Sequence, residues 1–319
     1  MKNLKKLLVI MATLFISIAG INIASLTQVQ AQDEPGELAI IIPGAEHGWL
    51  AGVAYFAELK AEELGIENYR ILTSSNVNEQ ASQIDEVLAQ EVGAVVLLPH
   101  TDELSLSAQK LVDADIPLIV FDRRVDVDYT AYVAGSNPEI GEVTAELLGE
   151  ELEGSGKIAV LNNPSAGSVS YERVDAFKAV MEENYADIEL VDMTVENFTQ
   201  EAGLSVATDM LVANPELDAI FSIDDESSLG ILQAIKDAGR EDIQFLSGAG
   251  GSQAYFQQIA DSEDINLFTA TYSPSMIGDA VEEAWKVLNG EDVEQDQIVS
   301  PTIVNSDNVD EFLDENSPY

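Results

Sequence analysis

From Asp33 onward, short unbroken apolar runs alternate with stretches whose apolar residues recur at helical spacing. Continuous apolar strands are buried on both faces, so a strand–helix–strand order of this kind folds as a mostly parallel sheet covered by helices on both sides. Residues 38–42, 69–72, 94–98 and 118–121 read as the first four strands, with helices at about 48–64, from Asn76, and at about 103–112. Asn76 with Glu79 forms a capping pair, and Ala81, Ile84, Val87 and Leu88 supply that helix's apolar face. After a short strand at 131–134 the order repeats. Asn137 reads as an N-cap with Pro138 at the first helical position. Further strands are expected at 158–161, 188–191, 219–222, 243–246 and 267–271, and a last helix at about 276–288 ends at Asn289-Gly290. No Pro/Gly/Ser linker parts the halves, so two similar α/β units are expected rather than unrelated domains.

A chain of 319 residues, 46% hydrophobic, can bury the cores of two such units. The absence of cysteine excludes disulfides, thiolate chemistry and a lipid-modified cysteine, and two histidines, His47 and His100, are too few for a multi-histidine metal centre. With 14 Lys+Arg against 58 Asp+Glu the formal charge is −44, which repels nucleic acid and anionic lipid. Lys2, Lys5 and Lys6 precede an apolar stretch from Leu7 to Leu26, and Val29-Gln30-Ala31 carries small residues where a signal peptidase reads. Residues 1–31 are therefore expected to be a signal peptide cleaved after Ala31, giving an exported, periplasmic protein. The alternative is a membrane anchor, against which Gly20, Asn22 and Ser25 weigh. Cleavage leaves 11 basic and 58 acidic residues, a net charge of 11 − 58 = −47. Self-repulsion on that scale needs screening, which points to a halophilic source; an acid excess serving solubility alone is the other reading.

In open α/β sheets, ligands bind beyond the carboxyl ends of the strands. Asp122 and Arg123 follow one strand directly, Asp224 follows another in the second half, and His47, Gly48 and Trp49 follow the first strand. Arg173 and Phe198 stand near helix starts on the same side of the second half. Carboxylates accept pairs of hydroxyl hydrogen bonds, guanidinium groups donate a planar fork, and aromatic faces cover the C–H faces of a sugar ring. This set suits a small neutral polyhydroxylated ligand. Taken singly, each residue has a plainer role: a strand-end Asp as a turn or cap, Arg173 as a solvated helix residue, Trp49 and Phe198 as core, His47 as a structural histidine. Their shared location carries the argument. No cofactor or metal is expected. Gly154-Ser155-Gly156-Lys157 precedes a strand and has Glu151 where a phosphate loop needs glycine; the glycines of Gly248-Ala249-Gly250-Gly251 have the wrong spacing for a dinucleotide turn; Asp224-Asp225-Glu226 matches no Ca²⁺ loop.

The segments QIDEVLAQEVGAVVLL (83–98), IPLIVFDR (116–123), Gly135-Ser136-Asn137, YERVDAF (171–177), FSIDDESSLG (221–230) and AVEEAWKVLNG (280–290) resemble the ribose-type sugar-binding proteins of ABC transporters, the type I periplasmic binding proteins, across the whole exported chain. The resemblance implies two Rossmann-like lobes joined by a multi-strand hinge, one lobe of residues 36–136 plus 273–299 and the other of 137–272 plus 300–319. It implies a ligand set of Trp49, Asp122, Arg123, Asn137, Arg173, Phe198 and Asp224, with Glu46-His47 in place of the usual amide pair and Tyr272 in the hinge region. Leu50 falls where a second aromatic often stands, and Ala249 where an acidic residue is common. These departures leave pentoses, hexoses and polyols open.

The implied function is capture of a monosaccharide or polyol by closure of the lobes, and delivery by a monomeric protein to an ABC transporter permease, without catalysis. Docking of the closed form on a chemoreceptor or sensor kinase is the alternative. A sugar-responsive repressor would need a basic DNA-binding headpiece, which the leader and the negative charge exclude. Asp122 and Asp224 could also form the acid–base pair of a secreted glycosidase, but Arg123 beside Asp122 disfavours the proton a general acid must hold.

Overall fold

A computed structural model describes residues 36–45 and 48–319. The expected leader, with its cleavage after Ala31, and the site candidates Glu46 and His47 lie outside the described residues. The elements in chain order are β1 (Leu38–Pro43), α1 (Gly48–Glu63), β2 (Tyr69–Ser74), α2 (Val77–Ala89), β3 (Ala94–Leu97), α3 (Ser105–Asp113), β4 (Leu118–Phe121), β5 (Ala131–Gly135), α4 (Asn137–Glu151), β6 (Gly156–Asn162), α5 (Ser168–Asn184), β7 (Ile188–Thr194), α6 (Gln200–Ala213), β8 (Ala219–Phe221), α7 (Asp225–Ala238), β9 (Phe245–Gly250), α8 (Gln253–Asp261), β10 (Asn266–Thr271), α9 (Ile277–Leu288), β11 (Asp296–Val299) and β12 (Ile303–Val304).

They build two six-stranded sheets, ordered β11-β5-β4-β3-β1-β2 and β12-β10-β9-β8-β6-β7. Every pairing is parallel except that of β12 with β10. Strand order reverses beside β1 in the first sheet and beside β6 in the second, and each reversal opens a crevice at the carboxyl edge. The period of two explains why β1 is apolar throughout. Leu38, Ile40 and Ile42 pack with Val53 and Ala57 of α1 and Val281 of α9, while Ala39 and Ile41 pack with Ile84 and Val87 of α2 and Leu111 of α3. In the second lobe, β6, β8 and their helices share one core, in which Phe177 stacks on Phe221 with centroids 4.0 Å apart and planes 7° apart. The chain passes between the sheets after β5, after β10 and between β11 and β12.

Three local expectations are corrected. Ser136, not Asn137, caps α4, accepting from Glu139 N at 3.4 Å; Asn137 is the first helical residue, and its side chain is engaged elsewhere. The strand expected at 243–246 is instead Phe245–Gly250. Glycine is a poor strand former, but the ladder to β10 pairs Gly248 with Thr269 and Gly250 with Thr271 and carries the strand through. Strands β11 and β12 were not expected, because β11 is largely exposed and its sequence lacks an apolar run. Among the described residues no helix is long and apolar enough to cross a membrane.

Candidate functional site

The carboxyl edges of the two sheets face one another across a cavity of about 480 Å³, its open mouth included. Trp49, Asp122, Arg123, Arg173, Phe198, Asp224 and Tyr272 line it, so seven of the residues singled out in the sequence converge on one space. Asn137 is not among the lining residues. Its Oδ1 accepts from Arg173 Nε at 2.8 Å, so it sits behind the guanidinium and faces a wider neighbouring recess instead. Leu50 is core. Ala249 reaches the cavity wall, joined there by Ala166, Val169, Gly250 and Tyr319, none of which the sequence reading anticipated as ligand residues.

Asp122 is held by the backbone before anything else. The Arg123 N–H donates to Phe121 O at 2.8 Å, closing a γ-turn centred on Asp122, whose φ of +62° is uncommon for a residue with a side chain. Its surroundings fix that conformation. Asp122 N donates to Val133 O at 2.9 Å, Tyr132 Oη donates to Asp122 O at 2.7 Å, and Tyr272 Oη donates to Asp122 Oδ1 at 2.5 Å. Strained backbone of this kind concentrates at functional sites, where the surrounding structure over-determines it. Arg123 spreads the other way, its Nη1 donating to His100 O at 2.9 Å and its Nε lying 3.6 Å from Asp122 Oδ2. His100 itself is tied to Ser74 at 3.1 Å in the adjoining recess, in keeping with a loop residue rather than a member of the cavity wall.

Tyr272, just past β10, joins the two halves of the wall. Its carbonyl accepts from Trp49 Nε1 at 2.8 Å, and its ring lies 4.8 Å from Arg173 Cζ in a cation–π arrangement. Burial, and then the Asp122 carboxylate, push its hydroxyl far above the usual phenol range, so it remains a neutral donor. Trp49 also stacks on Phe121 with planes 2° apart, which fixes the indole at the cavity edge. Arg173 is buried and donates through Nη1 to Ile223 O at 2.7 Å. Burial lowers its pKa, and the nearby Tyr272, Asp122 and Asp224 oppose that shift.

The run Asp224-Asp225-Glu226 separates into three jobs. Asp224 caps α7, accepting from Ser227 N at 2.7 Å, and lines the cavity as well, so the cap and ligand-edge roles coincide. Burial raises its pKa to about 7, with Asp225 and Glu226 adding to the rise and the Ser227 N–H opposing it. Asp225 is fully buried and structural: it accepts from Gly251 N, Ser252 N and Thr269 Oγ1 at 2.6–2.7 Å, fixing the turn after β9. Glu226 accepts from Gly48 N at 2.7 Å, a bond from the second lobe to the first. Among the described residues no group of three or more metal-ligating side chains is assembled, and these carboxylates are engaged in other work.

Among the described lining residues two guanidinium groups face two carboxyl groups, one of which, Asp224, titrates at about 7. Ligand hydroxyls find both donors and acceptors there, and Trp49, Phe198 and Tyr272 offer apolar faces.

A family model for periplasmic binding protein domains matches residues 38–292. The chain is similar to the ribose import binding protein of Bacillus subtilis, 25% identical over 242 residues, which covers 75% of this chain and 77% of the relative. It is similar to a xylitol-binding protein of Mycolicibacterium smegmatis, 26% identical over 242 residues, covering 74% and 68% respectively. Among solved structures it resembles the periplasmic binding protein component of the arabinose ABC transporter from Shewanella sp. ANA-3, bound to α- and β-L-arabinofuranose, with a TM-score of 0.76, 25% identity, and coverage of 86% and 94%. Matched over most of its length, and built as paired parallel sheets whose carboxyl edges share one cleft, the chain belongs to the periplasmic binding protein family.

Proposed function

We propose that this protein captures one monosaccharide or polyol outside the cytoplasm by closing its lobes over the cavity, and delivers it to the permease of an ABC transporter. The observation that carries the proposal is the convergence of Trp49, Asp122, Arg123, Arg173, Phe198, Asp224 and Tyr272 on a single space between the lobes. The ribose, xylitol and arabinose proteins similar to it support the same ligand class. The lobes would comprise residues 36–136 plus 273–299 and residues 137–272 plus 300–319. Ligand selects the closed arrangement because only that arrangement presents both sets of hydrogen-bonding groups at once. The protein would act as a monomer, without a catalytic step. A thermal-shift screen against pentoses, hexoses, polyols and inositols is expected to give a saturable rise in melting temperature with at least one of them, and incubation with the corresponding glycosides no turnover. Release of free sugar at a catalytic rate would overturn the binding reading.

Export through cleavage after Ala31 and life in concentrated salt belong to the same proposal. At a net −47 the exported chain is destabilised by its own field in dilute buffer, and counter-ions relieve this. Its melting temperature is expected to climb markedly between dilute buffer and molar salt; a flat response would leave the acid excess as a solubility device only.

A further inference from the structure

One wall of the cleft comes from the segment that follows β12. Gln253, the first residue of α8, pins that segment to the second lobe: its Nε2 donates to Phe312 O at 3.0 Å and its Oε1 accepts from Asp314 N at 2.8 Å. From there the chain turns into the gap between the lobes, with Ser317 Oγ donating to Tyr319 O at 2.6 Å. Tyr319 is 7% exposed and lines the same cavity as Trp49, Asp122, Arg173, Phe198 and Asp224. Backbone from both lobes closes on its side chain. A Cβ added to Gly48 would lie 3.4 Å from Tyr319 Cδ2, one on Gly52 3.2 Å from Tyr319 Cβ, and one on Gly250 2.4 Å from Tyr319 Oη. Burial, followed by Asp225, Asp224 and Glu226, drives the phenol far above its ordinary range, so a neutral hydroxyl stands at the cavity.

We propose that Tyr319 is a specificity-determining residue of the cleft, a pinned aromatic wall that shapes the site to a single compact polyhydroxylated ring and shuts out disaccharides. The proposal rests on the reading of the cavity as a sugar site. A ring anchored through Gln253 and wedged between α1 and β9 is held in place before ligand arrives, so it offers its face and hydroxyl at little ordering cost, and it does not swing aside for a second sugar unit.

The test is calorimetric titration of the wild-type protein, Tyr319→Ala, Tyr319→Phe and Gln253→Ala with pentoses, hexoses, inositols and disaccharides. Wild type is expected to bind a monosaccharide or polyol and no disaccharide. Tyr319→Phe, which loses one hydroxyl and keeps the ring, should bind about two- to tenfold more weakly and still refuse disaccharides. Tyr319→Ala should bind the same ligand about tenfold or more weakly and accept a disaccharide that wild type refuses. Gln253→Ala removes two hydrogen bonds to the segment without touching the cavity, leaving Phe312 packed on Phe256, and should shift the panel in the same direction to a smaller extent; if Tyr319→Ala does not fold, an unchanged panel in Tyr319→Leu, which removes the ring, overturns the proposal. Wild-type affinities in a folded Tyr319→Ala overturn it while leaving the sugar site standing. Tighter binding by Tyr319→Ala marks the ring as an obstruction and overturns it too. A wild-type protein that binds nothing in the panel removes the sugar reading and this proposal together.

Discussion

Arg173→Ala is expected to weaken sugar binding by about a hundredfold while the protein still melts cooperatively. A hydrogen bond from a charged group contributes about 1.5–3 kcal/mol, so two from the guanidinium fork at the low end of that range, or one at the high end, are worth about 3 kcal/mol, a factor on the order of a hundred. The side chain is held at the cavity by Asn137 Oδ1, Ile223 O and the ring of Tyr272. Truncation also leaves Asn137 Oδ1 and Ile223 O without that donor, so some loss of stability, on the order of 1–3 kcal/mol, accompanies the loss of affinity. Arg173→Lys keeps the charge but not the planar fork, and should fall between the two. Titration calorimetry with the ligand found in the thermal-shift screen, beside a circular-dichroism melt, separates binding from folding. A folded Arg173→Ala protein with wild-type affinity would remove the guanidinium from the site.

Sugar affinity is also expected to rise by about tenfold between pH 6 and pH 8. The Asp224 carboxyl titrates at about 7, raised mainly by burial. A ligand whose hydroxyls donate to Asp224 binds the ionised form, which makes up only about a tenth of the population at pH 6 and nearly all of it at pH 8. Folding responds with the opposite sign. The folded value lies above the ordinary carboxylate value of 3.8, so between about pH 4 and 7 the folded state keeps a proton that the unfolded chain has released. This group's contribution to stability therefore declines as pH rises through that window and levels off above about 7. Asp224→Asn retains the cap on α7, since Asn is as good an N-cap as Asp, but cannot ionise. Its affinity should be low and level across the same pH range. A wild-type affinity that is flat from pH 6 to 8, or a pH trend that survives in Asp224→Asn, would show that this carboxyl does not accept from the ligand.

The strand-end residues were legible in the sequence because a parallel sheet puts every strand's carboxyl end on one edge. Recognising the apolar runs before Asp122 and Asp224 was enough to place both carboxylates there. The same logic picked Asp224 by its place directly after the strand but gave no role to Asp225 beside it. Three donors from residues 251, 252 and 269 claim Asp225, leaving Asp224 at the cavity. It chose Asn137 over Ser136 as the cap of α4, an error between two types that both cap well; Asn137 is instead bonded to Arg173, which sits on another helix.

Alternating apolar runs and helical stretches determined, on their own, that the chain forms parallel sheets wrapped by helices, because that pattern can be buried in few other ways. Local order likewise set which residues stand at the sheet edges. What only the tertiary structure decided is which of those edges meet, and what fills the space between them. The hydroxyl of Tyr272 that holds Asp122, the bond from Gly48 to Glu226 and the ring of Tyr319 all depend on contacts between residues far apart in sequence. Such contacts leave no local signature, because they are fixed by the packing of one lobe against the other.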